Sequence, residues 1–275
     1  MKRHFLVVLL LLTTGVFAQK KTANWQKKGK LNLVFNQSYF NDKWLGGETS
    51  NIATNINLDY KFNYKKGNWT WDNHLIASYG LTKIKGEGIS KSDDRLEFNS
   101  ILGKKMGKDW YYSTLLNFKT QMGRGEKEGT YISHFMSPSY LQIGLGMLYK
   151  KGNTFKLNFS PLTGKITVVD KQFTLSAPSF GVEIGESALY NIGASIRLYS
   201  KNEPFQNISF ENILNLYSNY QENPQNIDID YTLNVVLKIN KYLSTNISFR
   251  TIYDDNTIKN LQVREFFGLG INYKF

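Results

Sequence analysis

The first candidates for chemistry are His74 and His134, the two histidines that follow the N-terminal segment. His74 lies two residues after Asp72, and a carboxylate in that position could orient an imidazole as a general base. No serine beside His74 stands out as a nucleophile. We therefore predict structural roles for both histidines and no catalytic residue, with an enzymatic site kept as an alternative.

Calcium prefers carboxylate oxygens, and three acidic pairs could supply them. These pairs are Asp93-Asp94, Asp228 with Asp230, and Asp254-Asp255. No Asp-x-Asp-x-Asp-Gly loop is present, so ordinary solvation or chance ion binding is the simpler interpretation. Because the chain has no cysteine, disulfides and thiolate metal sites are excluded. We predict no metal site and no cofactor.

Apolar residues at every second position indicate the elements that hold these side chains. The stretch NIATNINLDYKFNY over residues 51–64 alternates between apolar or aromatic residues and polar residues. A second stretch, IDIDYTLNVVLKIN, repeats the alternation over residues 227–240. A helix would mix the two sets, whereas a β-strand separates them onto its two faces. The period of two therefore predicts β-strands.

Such runs predict an all-β chain of about twelve strands, with ten or fourteen as the alternatives. The predicted strands are 30–40, 51–64, 69–83, 94–104, 110–122, 139–150, 154–162, 188–200, 207–220, 227–240, 243–253 and 264–275. Their connections alternate between short basic turns and longer loops. The longer loops are predicted at 41–50, 84–93, 123–138, 163–187, 221–226 and 254–263.

Short turns at one end, long loops at the other and an even strand number are typical of a transmembrane antiparallel β-barrel. A closed barrel also pairs every backbone N–H and C=O group, as the hydrocarbon of a membrane requires. We therefore predict one outer-membrane barrel domain over residues 31–275. Its short turns would lie in the periplasm and its longer loops outside the cell.

The N-terminal residues predict export. MKRHFLVVLLLLTTGVFAQ has a basic head, an apolar core and a small-residue pattern at Val16-Phe17-Ala18 that is typical of a signal-peptidase site. We predict a cleaved signal peptide over residues 1–18 and a short periplasmic segment over residues 19–30.

The inward faces of the predicted strands carry charges of both signs. The basic residues are Lys61, Arg95, Lys119, Lys156, Arg197, Lys238 and Arg250. The acidic residues are Asp59, Asp72, Glu97, Glu211, Asp228 and Asp230. A selective anion pore would show basic residues alone, so this mixture favours ion pairs that stiffen the wall.

The formal net charge of +12 comes largely from basic residues near the short turns. There they would face phospholipid headgroups, to which each lysine contributes about 1 kcal/mol of attraction. The basic residues do not form a recognised nucleic-acid-binding motif, so we predict no nucleic-acid partner.

The last predicted strand, EFFGLGINYKF, has an outward face of aromatic and apolar residues. These are Phe267, Leu269, Ile271, Tyr273 and Phe275. A strand with outward aromatics and a final Phe is the pattern that bacterial barrel assembly machinery recognises. We predict that this strand closes the barrel and carries the assembly signal. The predicted partners are the assembly machinery, outer-membrane lipids and lipopolysaccharide, with any small-solute substrate unidentified.

Several stretches together resemble a family of exported β-rich proteins from Bacteroidota, the domain of unknown function 3078. The stretches are WLGGE, WDNHLIASYGL, KSDDRLEFNS, WYYSTLLNFKTQ, SPSYLQIGLGM, SPLTGKITVV, FGVEIGE, NPQNIDIDY and IYDD. The resemblance spans most of the chain after the N-terminal segment. It implies an outer-membrane location, and it implies no reaction, substrate or catalytic residue.

These observations favour a non-enzymatic barrel, either a narrow channel for small solutes or a closed barrel that presents its outer loops. Two alternatives stay open. One is a barrel-embedded hydrolase that acts on envelope lipid or glycan. The other is an adhesin or assembly partner that acts through loops 41–50 and 163–187.

Leu58 and Asn57 test the predicted faces of strand 51–64. Leu58 should face lipid near the membrane midplane, so we expect Leu58→Arg to destabilise the barrel by about 2–4 kcal/mol. Asn57→Arg places the same charge in the lumen and should cost much less. Denaturant unfolding in lipid vesicles measures both free energies, and equal losses would contradict the predicted register.

Overall fold

The computed structural model describes residues 24–41, 43, 49–127 and 129–275. The predicted signal peptide and most of the predicted loop 41–50 lie outside the described residues. The described strands are β1 (Trp25–Ser38), β2 (Asn51–Lys66), β3 (Trp69–Ile84), β4 (Ile89–Lys105), β5 (Trp110–Thr120), β6 (Gly125–Lys127), β7 (Thr130–Ser133), β8 (Ser139–Lys151), β9 (Phe155–Val168), β10 (Ala188–Phe205), β11 (Ile208–Asn219), β12 (Ile227–Lys238), β13 (Leu243–Asp254) and β14 (Ile258–Lys274).

Twelve of these strands form one closed antiparallel barrel in which each strand pairs with its neighbours in sequence. The strands β6 and β7 form a separate hairpin between β5 and β8. The prediction of an all-β, twelve-stranded antiparallel barrel is confirmed. No helix in the described ranges is both long enough and apolar enough to cross a membrane.

The barrel closes where β1 pairs with β14, from Lys30 opposite Lys274 to Phe35 opposite Leu269. Just beyond this ladder, Gly29 N donates to Phe275 O over 2.7 Å, and Phe275 N donates to Gly29 O over 3.0 Å. The Phe275 ring covers Gly29 so closely that a Cβ at position 29 would lie 2.2 Å from its Cε2. Glycine at this position therefore leaves room for an aromatic ring over the seam.

Polar and apolar side chains are distributed in the reverse of the usual arrangement. Asn55 is 3 % exposed, whereas Ile56, the next residue of β2, is 45 % exposed. Among the described residues, the buried side chains are mostly polar or charged, and large apolar side chains cover the outer wall. A continuous apolar surface of this kind is unstable in contact with water and requires an apolar environment.

Aromatic side chains collect on the outer wall at the end of the barrel that has short turns, which we call the short-turn end. Its turns are residues 67–68, 106–109, 152–154, 206–207 and 239–242. The rings of Trp25 and Tyr64 lie 5.1 Å apart, and those of Trp110 and Tyr149 lie 5.2 Å apart. Amphipathic rings in such a position are typical of a membrane–water interface.

At the opposite end, which we call the long-loop end, three connections are shorter than the sequence predicted. The predicted bounds of loops 84–93 and 254–263 are wrong, because the connections in the structure contain only residues 85–88 and 255–257. The strand β9 continues to Val168, so the long loop that follows covers residues 169–187. Strand β1 starts earlier than predicted, at Trp25, and takes up the end of the predicted segment 19–30. Polar residues that face the lumen resemble loop residues in sequence, which explains these differences.

Candidate functional site

The candidate site is the lumen, because the alternation of the strands directs most of the charged side chains into it. Twelve of the thirteen predicted lumen charges form ion pairs or charged hydrogen bonds inside the barrel. The remaining one, Lys238, lies at the rim of the short-turn end and pairs with Glu203 over 2.9 Å. The pairs form three groups at different heights, which are described in turn.

The first group crosses the lumen near the short-turn end. Lys61 Nζ on β2 lies 3.0 Å from Tyr199 Oη and 3.4 Å from Glu211 Oε2 on the opposite wall. The Tyr199 hydroxyl donates to the same Glu211 oxygen over 2.9 Å. His74 Nε2 lies 2.9 Å from Asp59 Oδ2. His74 is therefore oriented by Asp59, which lies diagonally across the β2–β3 ladder, two residues before Lys61, the residue directly opposite His74.

Asp72, which the sequence spacing offered as the partner of His74, binds two lysines instead. Its Oδ2 lies 2.7 Å from Lys150 Nζ and 2.9 Å from Lys156 Nζ. Lys150 and Lys156 are directly opposite each other in the β8–β9 ladder. Asp72 thus neutralises two adjacent like charges, and Lys150 belongs to the lumen although it was not among the predicted lumen charges.

The second group surrounds Glu97, whose side chain has no exposed surface. Arg95 pairs with its Oε2, and Arg197 Nη2 lies 3.5 Å from its Oε1. The amides of Asn99 and Asn117 donate to the same Oε1 over 2.8 and 3.2 Å. Glu97 therefore connects β4, β5 and β10 through one fully buried carboxylate.

Next to this group, Arg250 binds Asp230 through two parallel hydrogen bonds of 3.0 Å. Lys119 reaches the same carboxylate from β5, across the lumen. Arg264 pairs with Asp93, and sequence reasoning missed both residues as part of the lumen. Extending the alternation of β4 and β14 towards the long-loop end would have found them.

The third group contains part of the acidic cluster that suggested calcium. The carboxylates of Asp228, Asp254 and Asp255 lie within 4.8 Å of one another. Lys165 Nζ lies between two of them, 2.8 Å from Asp228 and 3.2 Å from Asp254. The lysine ammonium therefore supplies the positive charge that a cation would otherwise provide. Lys165 was also missed, because the sequence placed it in a loop.

The lumen is packed on one side and open on the other. Ile101, Leu115 and Leu148 form a buried apolar cluster against Tyr111 on the side of β4, β5 and β8. A cavity of about 630 Å³ occupies the rest of the lumen, and every barrel strand except β5 and β8 contributes to its lining. Polar and charged residues dominate its lining, and basic side chains outnumber acidic ones there.

The loop 169–187 contacts the connections on both sides of it at the long-loop end. His134 Nε2 lies 2.9 Å from Asp170 Oδ2, and Asp170 N donates to Ser137 Oγ over 2.7 Å. At its other end, Gly181 has a φ of +82°, and a Cβ there would lie 3.4 Å from the Asn256 carbonyl oxygen. The loop therefore reaches from the connection between β5 and β8 to the connection between β13 and β14.

A sequence profile of the family described as "Protein of unknown function (DUF3078)" matches residues 35–125. The resemblance noted from the sequence is thereby confirmed over that segment, which is less than half of the chain. No curated protein matches the sequence.

Similar solved structures include outer-membrane channels and a porin. The translocator domain of the autotransporter NalP from Neisseria meningitidis is 8% identical with a TM-score of 0.41, covering 100% of this chain and 96% of that one. The COG4313 outer membrane channel from Pseudomonas putida F1 is 8% identical with a TM-score of 0.41, covering 94% and 99%. A porin is 10% identical with a TM-score of 0.35, covering 91% and 100%. Sequence identities and TM-scores this low are no basis for assigning a function of these proteins to this chain.

Glu97 should be the most costly lumen charge to remove. We expect Glu97→Gln to destabilise the barrel by about 3–5 kcal/mol, because it leaves Arg197 buried without a full counter-charge. The matched control is Glu203→Gln, which breaks an exposed pair with Lys238 and should cost less than about 1 kcal/mol. Denaturant unfolding in detergent measures both. Similar losses would show that Glu97 contributes no more than a surface charge.

The contact between His134 and Asp170 should depend on pH. Hydrogen bonds to the Phe135 carbonyl and to Asp170 raise the pKa of His134 above its ordinary value. The backbone N–H of Gln172 and the imidazole of His134 lower the pKa of Asp170. The raised pKa of His134 gives a stabilisation that is lost as the pH rises through that pKa. The lowered pKa of Asp170 gives a second stabilisation, which is lost as the pH falls through the pKa of Asp170.

Between the pKa values of Asp170 and His134 in the unfolded chain, about pH 4 to 6.5, the stabilisations from both residues are present. We therefore expect amide hydrogens of residues 169–187 to exchange faster at about pH 8.5 than at about pH 5.5, after correction for intrinsic rates. His134→Gln should remove this difference. A difference that persists in the variant would contradict the role of His134.

Proposed function

We propose that the chain is an outer-membrane β-barrel whose lumen is a narrow polar channel for small solutes. The observation that carries this proposal is the polar cavity of about 630 Å³ inside a closed barrel with an apolar outer wall. Side chains can fill the interior of a small barrel completely, whereas larger barrels enclose ligand cavities or channels. An open polar cavity is what a solute path requires.

In this proposal the short-turn end faces the periplasm and the long-loop end faces the outside of the cell. The outer wall contacts lipids and, at its outer edge, lipopolysaccharide. Residues 1–18 act as the signal peptide for export. The outward series Phe267, Leu269, Ile271, Tyr273 and Phe275 serves as the signal for the assembly machinery.

The path through the lumen would follow the side of the barrel where β14, β1 and β2 meet. The opposite side is filled by the apolar cluster at Leu115 and Leu148. Towards the long-loop end, the ion pair of Asp93 on β4 and Arg264 on β14 crosses this path. We take this pair as the constriction of the channel, and we therefore expect a small conductance rather than that of a wide pore.

A hydrolase has less support. The imidazoles of His74 and His134 each face a carboxylate, and no serine hydroxyl bonds to either ring in the described part of the chain. A serine nucleophile requires a base within hydrogen-bonding reach. The proposal therefore assigns no enzymatic role to either histidine.

Single-channel recording in planar lipid bilayers tests the proposal. We expect the purified barrel to give small, steady conductance steps. The double variant Asp93→Ala/Arg264→Ala should give larger steps, because it widens the constriction without leaving a buried charge unpaired. The matched control is Arg124→Ala, which removes an arginine that packs on Tyr131 in the outer hairpin.

This control should conduct like the unaltered protein. If the folded barrel, identified by its heat-modifiable mobility on gels, gives no conductance in any form, the channel proposal is wrong. The closed barrel that presents its loops would then be the better description.

A further inference from the structure

Basic residues lie directly opposite each other across the strand ladders at four places on the lumen side of the described strands. The pairs are Lys150 with Lys156, Arg250 with Arg264, Lys28 with Lys61, and Lys30 with Lys274. Like charges in this arrangement destabilise a sheet. Each pair therefore needs negative charge close by.

The first two pairs have that negative charge within the protein. One carboxylate, Asp72, lies within 3 Å of both Lys150 and Lys156. In the second pair, Arg250 binds Asp230 and Arg264 binds Asp93. The protein thus places a carboxylate at each of these two like-charge pairs.

The other two pairs are incomplete. Lys61 binds Glu211, but its neighbour Lys28 has no acidic group within 4.0 Å among the described residues. The same holds, in the described part of the chain, for Lys30 and Lys274. Asp59 lies directly opposite Lys30 in the β1–β2 ladder, but its carboxylate contacts His74 and Lys61 instead. Three adjacent ammonium groups on β1 and β14 therefore lack the counter-charge that the other pairs have.

These three lysines converge on the open side of the lumen. Lys28, Lys30 and Lys274 all line the cavity of about 630 Å³ at its short-turn end. Gln26 and Asn57 line the same cavity and add neutral amide groups. A ligand that enters this space meets several hydrogen-bond donors and an excess of positive charge.

We propose that Lys28, Lys30 and Lys274 form an anion-binding vestibule that takes the carboxylate or phosphate group of a small solute. The anion occupies the position that Asp72 occupies between Lys150 and Lys156. The inference rests on the proposed function in one respect, since the solute must reach the lumen from water. It adds the chemical class of the solute.

The charge of the cavity supports small anions in particular. Clefts lined by one sign of charge raise the local concentration of oppositely charged solutes. Attraction to lipid headgroups does not account for these lysines, because their side chains face the lumen. Lys27, between two inward positions of β1, belongs to the outer face instead and serves as the matched control.

Isothermal titration of the full, folded chain in detergent tests the vestibule. The probes are inorganic phosphate and succinate, each at constant ionic strength in an otherwise anion-poor buffer. We expect saturable binding of at least one probe, and the probe that binds identifies phosphate or carboxylate as the recognised group. Lys30→Gln/Lys274→Gln should weaken binding by roughly tenfold or more, because two charged hydrogen-bond donors are lost. Lys27→Gln should bind like the unaltered protein.

Thermal unfolding gives a second readout that does not depend on binding heats. In anion-poor buffer the double variant should unfold at a higher temperature than the unaltered protein, because the repulsion between Lys30 and Lys274 is gone. The probe that binds should raise the unfolding temperature of the unaltered protein and leave that of the double variant nearly unchanged.

The proposal is overturned if neither probe binds saturably, or if the double variant binds as tightly as the unaltered protein. Neither measurement involves a bilayer, so the outcome is separate from that of the conductance experiment. Binding without conductance would contradict only the channel, and conductance without binding would contradict only the vestibule.

Discussion

The pairing of β1 with β14 is the interaction on which the rest of the structure depends. Without it, both strands would present rows of unpaired N–H and C=O groups at open edges, which hydrocarbon does not tolerate. Closure also defines an inside and an outside, so that a simple alternation along each strand produces an apolar wall and a polar lumen. The seam is covered by the Phe275 ring, which has room there because residue 29 is glycine.

Closure in turn explains why so many charges are paired across the lumen. Side chains on opposite walls, such as Lys61 and Glu211 or Lys119 and Asp230, meet in an interior that bulk water does not fill. A charge there is costly unless a partner satisfies it, so most of the interior is a set of matched pairs. The exceptions, on β1 and β14, are where we place a solute, because functional sites are where proteins break such local rules.

The strand pattern was accessible from the sequence because the period of two is local: each residue in NIATNINLDYKFNY identifies its own face. The pairing of charges was not accessible, because it depends on how far each strand is staggered when the sheet closes. His74 illustrates this. Its sequence neighbour Asp72 was the obvious partner. In the closed barrel, however, Asp72 contacts lysines of β8 and β9, and His74 contacts Asp59. Lys165 and Asp93 were misplaced in loops because a polar residue that faces a lumen looks like one that faces water.

The central claim is that the sheet closes between β1 and β14 in the observed register. The chain has no cysteine, so Leu33→Cys/Ile271→Cys, which replaces two directly opposite residues, can report on that contact in cells. We predict that mild oxidation joins the two strands by a disulfide in the outer-membrane fraction. The control pair Phe35→Cys/Tyr273→Cys, on the same strands but out of register, should stay reduced. Equal cross-linking of both pairs, or none in the first, would contradict the closed barrel.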